Sequence, residues 1–351
     1  MKVEFGAIDH IDRQEKPVWE TYDSRLKLVE MYDKAGFSTF HLTEHHFTPL
    51  GLAPSPLVFL AAASRITQRI RFAPLVLIAT LYNPLRLAAE ICMLDQLSHG
   101  RFEIGTGRGV SPLELGFYNV KDADAPAIYK EAIEVLMAAL TKDTVDFHGK
   151  HFDFTNVPIE MKPFQKPHPP LWYATNSPES AARAARQKMN MVTLLPSNEA
   201  RKVLDAYKEA WQAAHGTGHD TGKGAVHGAR HGTGGAKMPK AGITRHIYVG
   251  DTDSAAEERG MFGFRGFFEK LVYLWKKYNV AHPSLDEVSH RRAETIITGT
   301  PATVRQKIEE QIAESGANYF VARFAYGDLT HEESAHSLDL FIREVMPHFT
   351  A

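Results

Sequence analysis

Apolar positions along the chain follow two alternating patterns: short, nearly continuous runs, and longer stretches with a period near 3.6. "KVEFGAID" (2–9) is an apolar run bounded by polar residues and reads as a strand. "WETYDSRLKLVEMYDKAG" follows with helical spacing at Leu26, Val29, Met31 and Tyr32, and stops at Gly36. "FSTFHLTEH" is a second strand and "PSPLVFLAAASRIT" a helix with Pro56 near its start. "IRFAPLVLIAT" is apolar throughout, as a strand buried on both faces of a parallel sheet should be. "NPLRLAAEICMLDQLS" is a helix with Asn83 as N-cap and Pro84 at its first position, and "RFEIGTGRG" is a fourth strand.

The alternation resumes with the helix "AIYKEAIEVLMAALT" and a fifth strand, "PLWYAT". The helix "SPESAARAARQK", the strand "NMVTLLP" and the helix "NEARKVLDAYKEAWQAA" come next. "ITRHIYVG" and "ANYFVARFA" are strands seven and eight, with "PATVRQKIEEQIAESG" between them and the helix "SLDLFIREVMPHF" closing the chain. Eight strand–helix units predict an α/β protein, a (β/α)8 TIM barrel with its functional residues at the C-terminal strand ends. A doubly wound sheet split over two domains is the alternative. No Pro/Ser-rich linker divides the chain, so residues 1–351 are expected to form one barrel domain. Three excursions exceed a minimal barrel: 141–170 after the fourth helix, 215–241 after the sixth, and 251–298 after the seventh strand. Such excursions commonly serve as lids, binding loops or interfaces.

With 351 residues, 44% of them hydrophobic, the chain has ample material for that core, and a net charge of −2 argues against a dedicated nucleic-acid or membrane-surface protein. Cys92 is the only cysteine, which rules out an intrachain disulfide and suits a small buried thiol. The opening residues lack the apolar core of a signal peptide, and no run reaches the ~18 apolar residues of a membrane span. A cytoplasmic protein is expected.

The stretch "HLTEHHF" (41–47) contains His41-x-x-Glu44-His45, which matches an inverted zinc-protease pattern. That pattern needs a helix. On a strand, residues four apart stand roughly 13 Å from one another and cannot share one zinc. With Phe40 and Leu42 facing the helices, His41, Thr43 and His45 face the barrel axis, and Glu44, His45 and His46 reach the catalytic rim. "GTGRGV" (105–110) places Arg108 among small residues at the same rim, where a guanidinium suits a phosphate. "ATNSPESAARAA" (174–185) opens a helix at Ser177 whose first N–H groups suit an anion. Glu179 by itself would repel a phosphate, so the backbone and the Ser180 hydroxyl are the better donors there. The tract 215–240 holds two H-x-x-x-H pairs, His215/His219 and His227/His231, but is rich in glycine and poor in apolar residues, as a solvated loop is. Strand one offers "AIDHID" without a His-x-His pair, and "LWYAT" and "MVTLL" of strands five and six assemble no centre with it, so no metal site is expected.

Together, "HLTEHHFTPLGLAPSP", "NPLRLAAEICMLDQLSHGRFEIGTGRG" and "SPESAARAA" resemble the bacterial luciferase-like flavin monooxygenases. The resemblance runs through the first four units, returns at strands five to eight, and is thin over 215–241 and 251–298. It implies a TIM barrel that binds FMN at its C-terminal face, receives it reduced from a separate flavin reductase, and uses O2 to oxygenate a small organic substrate. An aldehyde or another apolar compound would be such a substrate, and a homodimer the assembly. It further implies that His45 is the active-site histidine near the reactive flavin edge, with Glu44 beside it. Arg108 and the turn Glu179–Ser180 would lie at the flavin phosphate. A non-proline cis peptide at Leu75–Val76 would lie under the isoalloxazine. Luciferase has a cysteine before the arginine where this chain has Gly107, so nothing resting on that thiol carries over. A deazaflavin-dependent oxidoreductase on the same barrel, or a flavin-binding protein without chemistry, are the other readings. The aromatic segment 261–278 suits an apolar pocket, a dimer interface or ordinary core.

Overall fold

In the computed structural model, which describes residues 2–216, 238–284 and 295–350, the apolar runs become parallel strands and the periodic stretches become helices packed around them. The strands are β1 (Glu4–Asp9), β2 (Thr39–Leu42), β3 (Arg71–Pro74), β4 (Leu77–Ile78), β5 (Ile104–Gly107), β6 (Thr144–His148), β7 (Asp153–Pro158), β8 (Leu171–Ala174), β9 (Asn190–Thr193), β10 (Ala241–Val249), β11 (Ile296–Gly299) and β12 (Tyr319–Arg323). The main sheet runs β3-β2-β1-β12-β10-β9-β8-β5-β4, with every pairing parallel. It closes where the Phe72 amide bonds Arg101 O at 2.9 Å and the Glu103 amide bonds Phe72 O at 2.8 Å. The result is a TIM barrel in which β3 and β4 together fill the third of eight strand positions.

That third position departs from the continuous strand expected over "IRFAPLVLIAT". The Leu75–Val76 peptide is cis. Leu75 N–H still reaches Leu42 O at 2.9 Å, but beyond it Leu77 and Ile78 change ladders and pair with Thr106 and Gly107 of β5. Small residues make the exchange possible. A Cβ on Gly105 would stand 1.9 Å from Pro74 O, and one on Gly107 2.4 Å from Val76 Cγ2.

The helices that layer the barrel in its first half are α1 (Val18–Ala35), α2 (Pro56–Ile66), α3 (Pro84–Leu97), α4 (Pro112–Phe117) and α5 (Ala125–Thr141). α1 ends at Gly36 with φ 86°, a left-handed cap that favours glycine, and Asn83 Oδ1 caps α3 by accepting from the Leu85 and Arg86 amides. The second half adds α6 (Pro178–Arg186), α7 (Ser197–His215), α8 (Asp253–Leu271) and α9 (Tyr273–Lys277), then helices Pro301–Ser315 and His331–Leu340.

The excursion 141–170 is an antiparallel hairpin of β6 and β7, as irregular or hairpin structure was expected there. The excursion 251–298 holds more than the aromatic helix. β11, absent from the sequence reading, pairs with the outer half of β10, His246–Val249 against Ile296–Gly299. β10 has nine residues and outruns its partner β12, so its last residues need another ladder. Phe264, Phe267 and Phe268 of α8 form a second core with Leu50, Val272, Ile296, Tyr326 and Leu329. Much of the aromatic segment is therefore core. Of the histidine tract, His219, His227 and His231 lie outside the described residues, while His215 ends α7 with its ring 4.4 Å from that of Trp211. No helix among the described residues is long and apolar enough to cross a membrane.

Candidate active site

The C-terminal strand ends surround a cavity of about 1370 Å3. Its apolar wall includes Ile8, Leu75, Val76, Ile78 and Val192. β2 stops at Leu42, and the following residues leave the sheet to form the rim, held first by Thr43 N–H on Asp9 O at 3.1 Å.

His41 and His45 go to different places. His41 fills the barrel interior: Nδ1 lies 3.0 Å from Ala73 O and Nε2 2.9 Å from the Tyr319 hydroxyl. Burial pushes its pKa down to about 3, so the ring is neutral and structural. His45 lines the cavity with 19% of its side chain exposed. Its Nδ1 stands 3.1 Å from Glu114 Oε1, and the other oxygen of Glu114 accepts the His46 amide at 2.8 Å. Because a carboxylate only accepts, Nδ1 carries a proton, and Nε2 is the nitrogen left for a bound molecule. The His45 ring also stacks on His10 at the end of β1, 5.5 Å between centroids and 12° between planes. Burial, then the Arg323 charge, hold the His10 pKa well below the histidine range.

Glu44 also lines the cavity, with its carboxylate bonded to groups of the rim. Oε1 lies 2.8 Å from His46 Nε2, Oε2 accepts the Ile78 amide at 2.9 Å, and the Tyr82 hydroxyl bonds the same carboxylate. His46 Nδ1 in turn meets the Tyr118 hydroxyl at 2.9 Å. Glu44 therefore ties the rim loop to the start of β4, while His45 beside it lines the cavity.

Arg108 lines the cavity at its exposed rim, its carbonyl accepting from Thr80 Oγ1 at 2.8 Å. Leu75 and Val76 also line it, whereas Glu179 and Ser180 do not. Ser177 caps α6 as expected, its hydroxyl accepting from the Ser180 amide. The charged residue of α6 that lines the cavity is Arg183, one turn on, whose Nη2 donates to Tyr173 Oη at 3.1 Å and Ser180 Oγ at 3.3 Å. The sequence reading missed Arg183, Glu114, His10 and Arg323. Arg183 could have been found by helical spacing from Ser180, and Glu114 from the Ser111-x-x-Glu114 capping pattern that opens α4. Nothing in sequence pointed to the other two.

The residues present fit FMN. The cavity joins an apolar wall, where a Cβ on Gly107 would crowd Val76, to the guanidinium groups of Arg108 and Arg183, which suit a phosphate. Among the described residues, no group of three or more His, Cys, Asp or Glu side chains is placed to hold a metal ion.

Comparison with known proteins agrees with the geometry. The sequence profile of the luciferase-like monooxygenases matches residues 3–319. The uncharacterized protein y4wF of Sinorhizobium fredii is 36% identical over 98% of this chain and 97% of its own length. The oxygenase component of the flavin-dependent trigonelline monooxygenase of Acinetobacter baylyi is 23% identical, covering 99% of this chain and 95% of its own. Among solved structures, the oxygenating constituent of 3,6-diketocamphane monooxygenase from Pseudomonas putida, in complex with FMN, superposes with a TM-score of 0.78 at 21% identity, over 99% of this chain and 98% of that one. The profile match over nearly the whole chain shows that it belongs to the luciferase-like monooxygenase family.

Proposed function

We propose that the chain is the oxygenase of a two-component system, using reduced FMN and O2 to oxygenate a small organic substrate such as an aldehyde or another apolar compound. The observation that carries this reading is His45, held through Nδ1 by Glu114 while its side chain lines a large apolar cavity. Arg108 and Arg183 would hold the flavin phosphate, with Ser180 acting through its contact to Arg183 and Glu179 at the outer edge of the same turn. Leu75 and Val76 would support the ring system. Reduced FMN, when bound, supplies the electrons that activate O2. His45 holds or moves a proton at Nε2, and Glu44 positions the rim through His46 and Ile78. The apolar wall keeps water from the reacting atoms.

A separate flavin reductase is the implied partner, supported by the trigonelline relative's description as an oxygenase component. A homodimer is supported by Val58, Ile66, Met93 and Leu97, large apolar side chains left exposed on α2 and α3.

The test is titration of the purified chain with FMN, reduced FMN and a deazaflavin, followed by mixing the reduced complex with isotopically labelled O2 and a panel of aldehydes and ketones. Tight binding of reduced FMN with label in an organic product is the expected result. Preference for the deazaflavin, with hydride transfer and no O2 consumed, overturns it.

A further inference from the structure

Two side chains at the ends of β1 and β2 leave polar atoms unpaired at the cavity. Ile8 of β1 and His41 of β2 are register partners; Ile8 lines the cavity and His41 fills the barrel interior beneath it. The ladder continues past both strand ends, where the Thr43 amide donates to Asp9 O at 3.1 Å. Side chains alternate along a strand, so the next pair to face inward is His10 and Thr43. They are 9% and 6% exposed, and both line the cavity. His10 Nδ1 and Thr43 Oγ1 are each buried without a hydrogen-bond partner.

Buried polar atoms are nearly always paired, and one left alone costs stability. The groups around these two are committed elsewhere. Asp9 pairs with Arg25 Nε at 3.0 Å and accepts the Ile11 amide, while Glu114 holds His45 and His46. The His45 ring lies parallel to that of His10, and Phe267 meets it at 83° with 5.3 Å between centroids. These contacts hold the His10 ring without bonding its nitrogens.

We infer that His10 and Thr43 are a specificity-determining pair that holds a carbonyl oxygen of the substrate. A carbonyl oxygen has two lone pairs, and this pair has two donors for them, one N–H of a neutral imidazole and one O–H. Neither brings a charge, so a neutral ketone or aldehyde suits them better than a carboxylate. The hydrocarbon part then lies on the apolar wall, and the carbonyl is beside the His45 ring. β1 holds the first of the eight strand positions, whereas Arg108 follows the fourth and Arg183 the fifth. His10 is therefore across the barrel from the proposed phosphate end. The inference deepens the flavin reading and rests on it for the reaction, though not for the oxygen site.

The test is binding of matched pairs that exchange the carbonyl oxygen for a methylene, cyclohexanone against methylenecyclohexane and acetophenone against α-methylstyrene. Calorimetry follows them on the protein alone, and flavin absorbance on the FMN-loaded protein. The expected result is ketone binding at least about tenfold tighter than alkene binding. That preference should weaken in His10→Phe and in Thr43→Val, vanish when the two are combined, and survive in Thr43→Ser, with FMN affinity held throughout. Thr43→Val should also unfold at a urea midpoint no lower than wild type, because it removes an unpaired buried oxygen. Equal affinity within each pair, ketones that fail to bind at millimolar concentration, or a folded double variant that keeps the preference would each overturn the inference. So would a loss of FMN affinity in these variants, which would assign the two side chains to the flavin. A lower midpoint for Thr43→Val would overturn it too, by showing that the hydroxyl is already bonded within the protein. Wild-type protein that binds ketones and ignores FMN would remove the flavin reading and leave the oxygen site standing.

Discussion

Glu114 Oε1 lies 3.1 Å from His45 Nδ1, and this contact sets the ring proton on Nδ1 and leaves Nε2 to accept. The carboxylate satisfies two N–H groups at once, since its other oxygen takes the His46 amide. Glutamine offers only one acceptor oxygen, so in Glu114→Gln one of those N–H groups is left without a partner. Oxygenation should fall roughly 10²-fold, with unproductive peroxide release rising in proportion and FMN affinity little changed. Turnover measured against peroxide yield checks this, and an unchanged ratio would sink the positioning role.

His45→Ala removes the group itself. Oxygenation should drop by roughly 10²–10⁴-fold, the usual worth of a positioned acid or base. The side chain is at the cavity edge and its loss opens little core, so the circular dichroism spectrum and the FMN titration should match wild type. Wild-type turnover in a folded variant would remove His45 from the chemistry.

Stability should depend on pH through the buried histidines. The folded pKa of His41 is held at about 3, against the ordinary value of 6.5. From pH 6.5 downward the unfolded chain takes up a proton that the folded chain refuses. The contribution is therefore complete above pH 6.5 and is lost as pH falls, with a limiting slope of about 1.4 kcal/mol per pH unit for each such ring. His10, lowered in the same direction, adds to the slope. His41→Gln, which can still donate to Ala73 O and accept from Tyr319, should flatten the curve by about one proton. Urea midpoints between pH 4.5 and 7.5 measure it, and parallel curves for variant and wild type would refute it.

Gly107→Ala should loosen the cavity wall. Its Cβ would meet Val76 Cγ2 at 2.4 Å, and this branched, χ1-restricted side chain can yield only by displacing the wall around it, an overpacking cost of about 1–3 kcal/mol. Gly105→Ala meets the Pro74 carbonyl at 1.9 Å, which is backbone and cannot yield without breaking the β3–β5 approach. The first variant should therefore fold with a lower denaturation midpoint and weaker FMN binding, and the second should fail to give soluble protein. Equal midpoints for the two would contradict this packing account.

Eight strand positions were legible because period-2 and period-3.6 runs report burial directly, and the caps at Asn83 and Ser177 were legible because they are local. β11 was not. "IITG" is short, and its partner is the overhang of β10, which no local pattern announces. The rim histidine and the arginine after β5 stood out because strand ends on this barrel are where chemistry collects. Arg323 and His10 also sit at strand ends, yet nothing in "VARFA" or "AIDHID" shows that the two meet across β12 and β1. The turn at Glu179–Ser180 shows where a local reading stops. Cap geometry was read correctly, but which side chain of α6 enters the cavity depends on how the helix is rotated against the barrel, and that is set by packing.

One phenyl ring gives the outer excursion an unexpected hold over the cavity. Phe267 of α8 presents its face to Arg323 at 5.0 Å and meets the rings of His10 at 5.3 Å and His246 at 4.8 Å. Three polar groups from β10, from β12 and from the end of β1 thus share a single aromatic neighbour supplied by a helix that the eightfold repeat does not require. Drift in that helix can retune which molecules the barrel accepts while all eight strands stay as they are, much as a lock is rekeyed by its pins with the housing left in the door.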